Sequence, residues 1–89
     1  MGVEEIKAEL RQIRNLNTRG ISNALTEKYK SLFDNLPALE QAVMTECYIL
    51  GKSYRLCGRK IAYCERQVHR IVKRSIELLS ELTNEMRVD

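Results

Sequence analysis

The sequence predicts an all-α fold of about five helices, with a C-terminal helix-turn-helix and an N-terminal helical arm. Three observations carry that expectation. Apolar residues recur at three- and four-residue steps along most of the chain, β-branched alternation is absent, and the single proline, Pro37, falls between two helical patterns. Eighty-nine residues suffice for one core. With 44% hydrophobic and 30% charged residues, the chain can bury enough apolar surface to fold.

The first helix is expected from Val3 to Leu16, with Val3, Ile6, Leu10 and Ile13 on one face. Glu4 and Glu5 at its start, and Arg11 and Arg14 further on, suit the helix dipole. Asn15 to Gly20 reads as a break. A second helix from Ser22 to Asp34 turns Leu25, Tyr29, Leu32 and Phe33 inward, with Ile21 just ahead. The residue before a proline is pushed out of helical geometry, so Asn35 and Leu36 end that helix, and Pro37 enters the first turn of the third. The third helix carries Leu39, Val43, Cys47 and Leu50 inward and stops at a left-handed Gly51.

Ser53 is the expected N-cap of a short fourth helix, Tyr54 to Ile61. Ala62 and Tyr63 form a turn, Cys64 takes the next cap, and Glu65 opens a long fifth helix reaching Met86. Its inward stripe is Val68, Val72, Ser75, Leu79, Leu82 and Met86, flanked by Ile71, Ile76 and Leu78. Gly58 falls inside the fourth helix. Glycine there costs about 1 kcal/mol against alanine, so a packing reason is implied: two helices crossing nearly at right angles need one small residue. An ordinary helical hairpin of a bundle gives the same spacing.

Charge is distributed unevenly. Residues 1–51 carry net −1 and residues 75–89 net −3, while residues 52–74 hold eight Lys/Arg against Glu65 alone, net +7. Such a block reads as a polyanion footprint or, more plainly, as a solvated face. Cys47, Cys57 and Cys64 form no CxxC pair and read as reduced thiols of a cytoplasmic protein; a zinc site from Cys57, Cys64 and His69 would lack a fourth ligand. No cofactor is implied. No stretch approaches the roughly 18 apolar residues of a membrane span, and the acidic N-terminus lacks the pattern of a signal peptide. Gly2 follows Met1, but Ile6 stands where a lipidation signal has Ser or Thr. A single histidine without paired acids or a phosphate-cradling glycine loop argues against an enzyme.

The stretch LPALEQAVMTECYILGKSYRLCGRKIAYCERQVHRIVKRSIELL, from Leu36 to Leu79, resembles region four of bacterial sigma factors. It is closer still to the small phage- and prophage-encoded regulators similar to that region. The resemblance is carried by Leu36 and Pro37, Val43, Tyr48, Gly51, Ser53 and Tyr54, Cys57 and Gly58, Ile61, Tyr63 and Cys64, Val68 and Ile71. Cys57 stands where a branched aliphatic is usual, Ala62 where the turn glycine is usual, and Cys64 where a serine or threonine cap is usual. The resemblance implies a transcription regulator that reads duplex DNA in the major groove with the fifth helix.

On that reading Glu65, Arg66, His69, Arg70 and Lys73 face the bases, which agrees with Val68, Ile71 and Val72 pointing inward. Arg66 and Arg70 have the forked geometry that suits guanine. Glu65 either accepts from cytosine or favours the helix N-terminus. Lys52, Ser53, Arg55, Arg59, Lys60 and Arg74 would meet phosphates.

Residues 1–35 are expected to form an arm for packing or oligomerisation, and residues 36–89 the DNA-binding domain. The stripes Val3, Ile6, Leu10, Ile13 and Leu79, Leu82, Met86 either close within one chain or join two chains as a homodimer. RNA polymerase or a host sigma factor is a candidate partner, with the acidic face Glu77, Glu81, Glu85 as its contact or simply as solvated surface. Nothing in the chain resembles the promoter-melting part of a sigma factor. The competing readings are a DNA-packaging small subunit and a protein-binding modulator of the polymerase.

Overall fold

Five helices appear in chain order in the computed structural model, which describes residues 2–18 and 24–85. They are α1 (Val3–Thr18), α2 (Ala24–Phe33), α3 (Ala38–Met44, continued by a π-helical turn over Thr45–Ile49), α4 (Tyr54–Ile61) and α5 (Glu65–Glu85). Among the described residues there is no strand. Helix α5, 21 residues and about 30 Å long, is the axis of the assembly and touches each of the other four.

Helix α1 follows the expected stripe: Ile6, Leu10 and Ile13 are 0% exposed, and Val3 is partly covered. It runs two residues past Leu16, so Asn17 and Thr18 are helical rather than part of the break. Arg11 and Arg14 therefore fall short of the last turn, where no basic residue stands. The expected positions Gly20, Ile21, Ser22 and Met86 lie outside the described residues. On α2, Tyr29, Leu32 and Phe33 are buried and Leu25 is partly so. The Tyr29 hydroxyl donates to Glu9 Oε1 at 2.8 Å, which pins α2 to α1.

Pro37 sits one position before α3 rather than within its first turn, and its carbonyl accepts the Gln41 N–H at 2.9 Å. The inward face of α3 departs from expectation. Val43 and Cys47 are buried, but Leu39 is 37% and Leu50 58% exposed, while Met44 and Tyr48 are buried instead. The π-helical turn explains the second half of this change. The Leu50 N–H bonds to Thr45 O at 2.9 Å, five residues back, so one extra residue enters the turn and rotates everything after it. Leu50 is carried outward as a result. Gly51 then takes φ +69°, the left-handed geometry expected of it.

The core is a single cluster to which all five helices contribute, so residues 1–35 pack into the same interior as residues 36–89. Ile6, Leu10, Ile13 and Leu79 close on this interior within one chain. Of the two arrangements open to these stripes, closure within one chain holds for these four, and a homodimer seam could use none of them without opening the core. Val3 and Leu82 keep partial exposure. Ser75 and Thr83 are buried on the inner side of α5, and each hydroxyl donates to the carbonyl four residues back, at 2.7 and 3.0 Å.

The path from α4 into α5 is the tightest part of the chain. The Ser53 hydroxyl caps α4 by accepting from the Leu56 N–H at 3.2 Å. Helix α4 ends at Ala62, which adopts φ 61° and ψ 37°. The Tyr63 N–H then returns to Gly58 O at 2.8 Å. A Cβ on Gly58 would stand 2.5 Å from the Tyr63 carbonyl oxygen and 3.2 Å from Val68 Cγ2. At the start of α5, Gln67 Oε1 accepts the Cys64 N–H at 3.0 Å, half of a reciprocal capping arrangement. The other half calls for a hydroxyl at position 64, and a thiol accepts hydrogen bonds poorly.

Three substitutions test this geometry by thermal or denaturant unfolding. Gly58→Ala is expected to destabilise by about 1–3 kcal/mol through overpacking, despite its better helix propensity. Ala62→Gly relieves a left-handed alanine and is expected to stabilise by roughly 0.5–1 kcal/mol after the greater freedom of the unfolded chain is counted. Cys64→Ser is expected to gain about 0.5–1 kcal/mol as a better cap. A stabilised Gly58→Ala variant would contradict the close approach.

Candidate nucleic-acid interface

Helix α5 divides its residues cleanly between inside and outside. Val68 and Val72 are buried and Ile71 is half-buried, while Glu65, Arg66, His69, Arg70 and Lys73 are all exposed. Arg66 and Arg70 stand four residues apart, so their Cα atoms lie about 6 Å apart along the axis on one face. Neither makes an ion pair with a described residue, and the same holds for Lys73. The structure thus groups the five residues expected to face bases on one open surface.

His69 has neighbours that the sequence did not announce. Its ring stands edge-on to Tyr54, with centroids 4.4 Å apart and planes at 87°, and its Nε2 lies 3.9 Å from Glu65 Oε1. The Tyr54 hydroxyl shares a 2.8 Å hydrogen bond with that of Tyr48. Burial, then this bond, holds the Tyr48 phenol above its usual range, so it stays neutral. An aromatic support of this kind fixes where His69 points at the front of α5.

The cations expected to meet phosphates divide into two groups. Lys52 Nζ lies 2.7 Å from Glu46 Oε2, and Lys60 bonds to the other oxygen of the same carboxylate. Arg74 Nε lies 3.7 Å from Glu40 Oε1. The Ser53 hydroxyl is engaged in capping α4. Lys52, Lys60 and Arg74 therefore hold the third, fourth and fifth helices together before they do anything else. Arg55 and Arg59 are exposed and make no ion pair with a described residue.

The two lysines hold the Glu46 carboxyl below its usual range: the Lys52 ammonium beside it acts first, then the Lys60 hydrogen bond. Charge repulsion among these lysines is thereby relieved, which lets a basic α4 pack beside a basic α5. Glu46 was invisible as a partner in the sequence because its lysines lie 6 and 14 positions away.

An open groove of about 470 Å³ borders this face, between α1 and α5. Lys7 and Arg11 of α1 line it opposite His69 and Lys73 of α5, with Tyr48 and Tyr54 also part of the lining. In the sequence Arg11 carries meaning only beside Arg14, as a match to the helix dipole, and Lys7, one helical turn before it, goes unmarked.

The thiols offer little chemistry. Cys47 and Cys57 are fully buried and Cys64 is exposed. Burial, then the neighbouring Cys57, pushes the Cys47 thiol up to about 12, so it is no ready nucleophile. Among the described residues no three His, Cys, Asp or Glu side chains are placed to hold a metal ion. Nor is any described helix long and apolar enough to cross a membrane.

The fold and this surface define the chain as an all-α, single-core protein with one strongly basic face. No protein-family model, curated protein or solved structure matches it. The resemblance to sigma region four therefore rests on the motif residues alone.

The Glu46 bridge yields a signed pH prediction. A carboxyl depressed in the folded state contributes stability above its ordinary value, near 4.5, and loses it as pH falls through the folded value. We expect Glu46→Gln to lower the melting temperature near neutral pH, with the gap to the wild type narrowing as pH drops below about 4.5. A gap that stays constant with pH would show that the bridge adds nothing to stability.

Proposed function

We propose that the chain is a duplex-DNA-binding transcription regulator of the helix-turn-helix class, with α4 as the supporting helix and α5 as the recognition helix. The observation that carries this reading is the open face of α5, where Arg66, Arg70 and Lys73 stand exposed and without ion-pair partners among the described residues while Val68 and Val72 are buried against the core. A recognition helix has one face packed on its domain and the opposite, polar and cationic face free to enter the major groove.

The close approach at Gly58 supports the same reading. Helix-turn-helix units need the two helices nearly in contact so that the second projects from the surface. Arg66 and Arg70 are assigned to guanine edges, Lys73 and His69 to their neighbours, and Arg55 and Arg59 to phosphates. Glu65, 3.9 Å from His69, favours the helix N-terminus and orients that ring. The motif resemblance suggests a regulator of phage or prophage type acting near RNA polymerase or a sigma factor.

Selection of bound duplexes from a random pool, followed by titration at several salt concentrations, tests the proposal. We expect log affinity to fall by about 0.9 per log salt for each phosphate neutralised. Arg66→Ala and Arg70→Ala should each lose about 1–3 kcal/mol on the selected site and little on random duplex. Arg59→Ala should weaken both alike. Salt-independent binding, or none, would rule the reading out.

A further inference from the structure

The nucleic-acid reading accounts for α4 and α5 but leaves unexplained why α1 brings cations to the same groove. Lys7 and Arg11 are four residues apart and line one wall, and His69 and Lys73, also four apart, line the other. Residues 1–51 are net acidic, so this pairing is not a by-product of a generally basic segment. Helices in contact lie about 8–10 Å apart axis to axis, and the major groove is about 12 Å wide. A helix packed beside one seated in the groove therefore lies near the groove's edge, where the phosphates of one strand run.

We propose that α1 belongs to the nucleic-acid surface: Lys7 and Arg11 take the sugar–phosphate backbone of one strand beside the recognition helix, whose Lys73 faces the bases across the groove. This rests on the duplex-DNA reading above. The lining suits a backbone better than a bare ion. Val3, Val72 and Ile76 offer apolar contact for deoxyribose, and Lys7 and Arg11 line the α1 wall for phosphate oxygens.

Two carboxylates act against it, and both leave the balance positive. Glu77 lines the groove, but three cations oppose it. Glu4 lies 3.6 Å from Lys7, yet its side chain is 89% exposed, and a surface bridge of that kind breaks at little cost. Contact through α1 also gives its burial a functional consequence. The core that holds Ile6, Leu10 and Ile13 fixes where Lys7 and Arg11 stand relative to α5.

The test uses the full chain and the double variant Lys7→Ala, Arg11→Ala, with Lys28→Ala, Lys30→Ala on α2 as a control of equal net charge. We expect the α1 variant to melt like the wild type and to bind selected and random duplexes about tenfold more weakly. Its log–log salt slope should shrink by about 1.8, the release expected from two phosphates. The α2 control should keep most of both. Ethylation of backbone phosphates adds a positional readout: one or two positions whose ethylation hinders the wild type should cease to matter for the α1 variant. If the wild type binds duplex with a steep salt slope and the α1 variant matches the α2 control, the proposal for α1 is wrong and the recognition-helix reading stands. If the wild type shows no such slope, the functional reading itself fails.

Discussion

The close contact at Gly58 is the constraint on which the rest of the basic face depends. With the Tyr63 carbonyl 2.5 Å from where a side chain would begin, α4 and the turn fold back on each other with no room to spare. That contact sets the left-handed geometry of Ala62 and brings Val68 under α4. Once Val68 is fixed, helical periodicity leaves the exposed residues of α5 no freedom in direction. Which cations face outward is thus decided by one missing Cβ and a packed valine, not by the cations themselves.

A basic helix packed beside another basic helix would otherwise repel, and the protein answers with two carboxylates from the third helix. Glu46 takes Lys52 and Lys60, and Glu40 takes Arg74. Both acids have largely covered side chains, so the attraction is screened less than on an open surface. The effect is to sort the basic block by duty. Cations at its inner edge hold helices together, and Arg66, Arg70 and Lys73 on the front of α5 have no carboxylate partner among the described residues. A count of charge along the chain treats all of them alike.

The hydrophobic core draws α1 into the same body. Its stripe closes against the π-helical turn and α5, so the surface between α1 and α5 becomes a groove instead of a seam between separate units. This has an energetic logic in so short a chain. A small domain gains stability steeply with each added apolar face, and α1 adds Ile6, Leu10 and Ile13. The same closure takes Ile6, Leu10, Ile13 and Leu79 out of reach of a second chain, while Val3 and Leu82 stay partly exposed.

Much was legible in the sequence because short-range rules govern it. The stripe of α1, the Ser53 cap, the left-handed Gly51, the bounds of α4, the start of α5 and its inward and outward faces all follow from helical period, capping chemistry and glycine geometry, each confined to a few neighbouring residues. Gly58 was legible for a similar reason, since an interior glycine is costly enough to need a partner nearby. What tertiary structure alone decided involves residues far apart in sequence or a break in period. The π-helical turn over Thr45–Ile49 inserts a residue that no propensity marks, and Leu50 faces solvent because of it. Glu46 and Glu40 gain their lysines and arginine, Tyr54 its histidine, and Lys7 and Arg11 their place opposite Lys73, only when α1, α3 and α4 pack on α5. Periodicity fixes which way a side chain points on its own helix; only the packing of helices decides what it meets there.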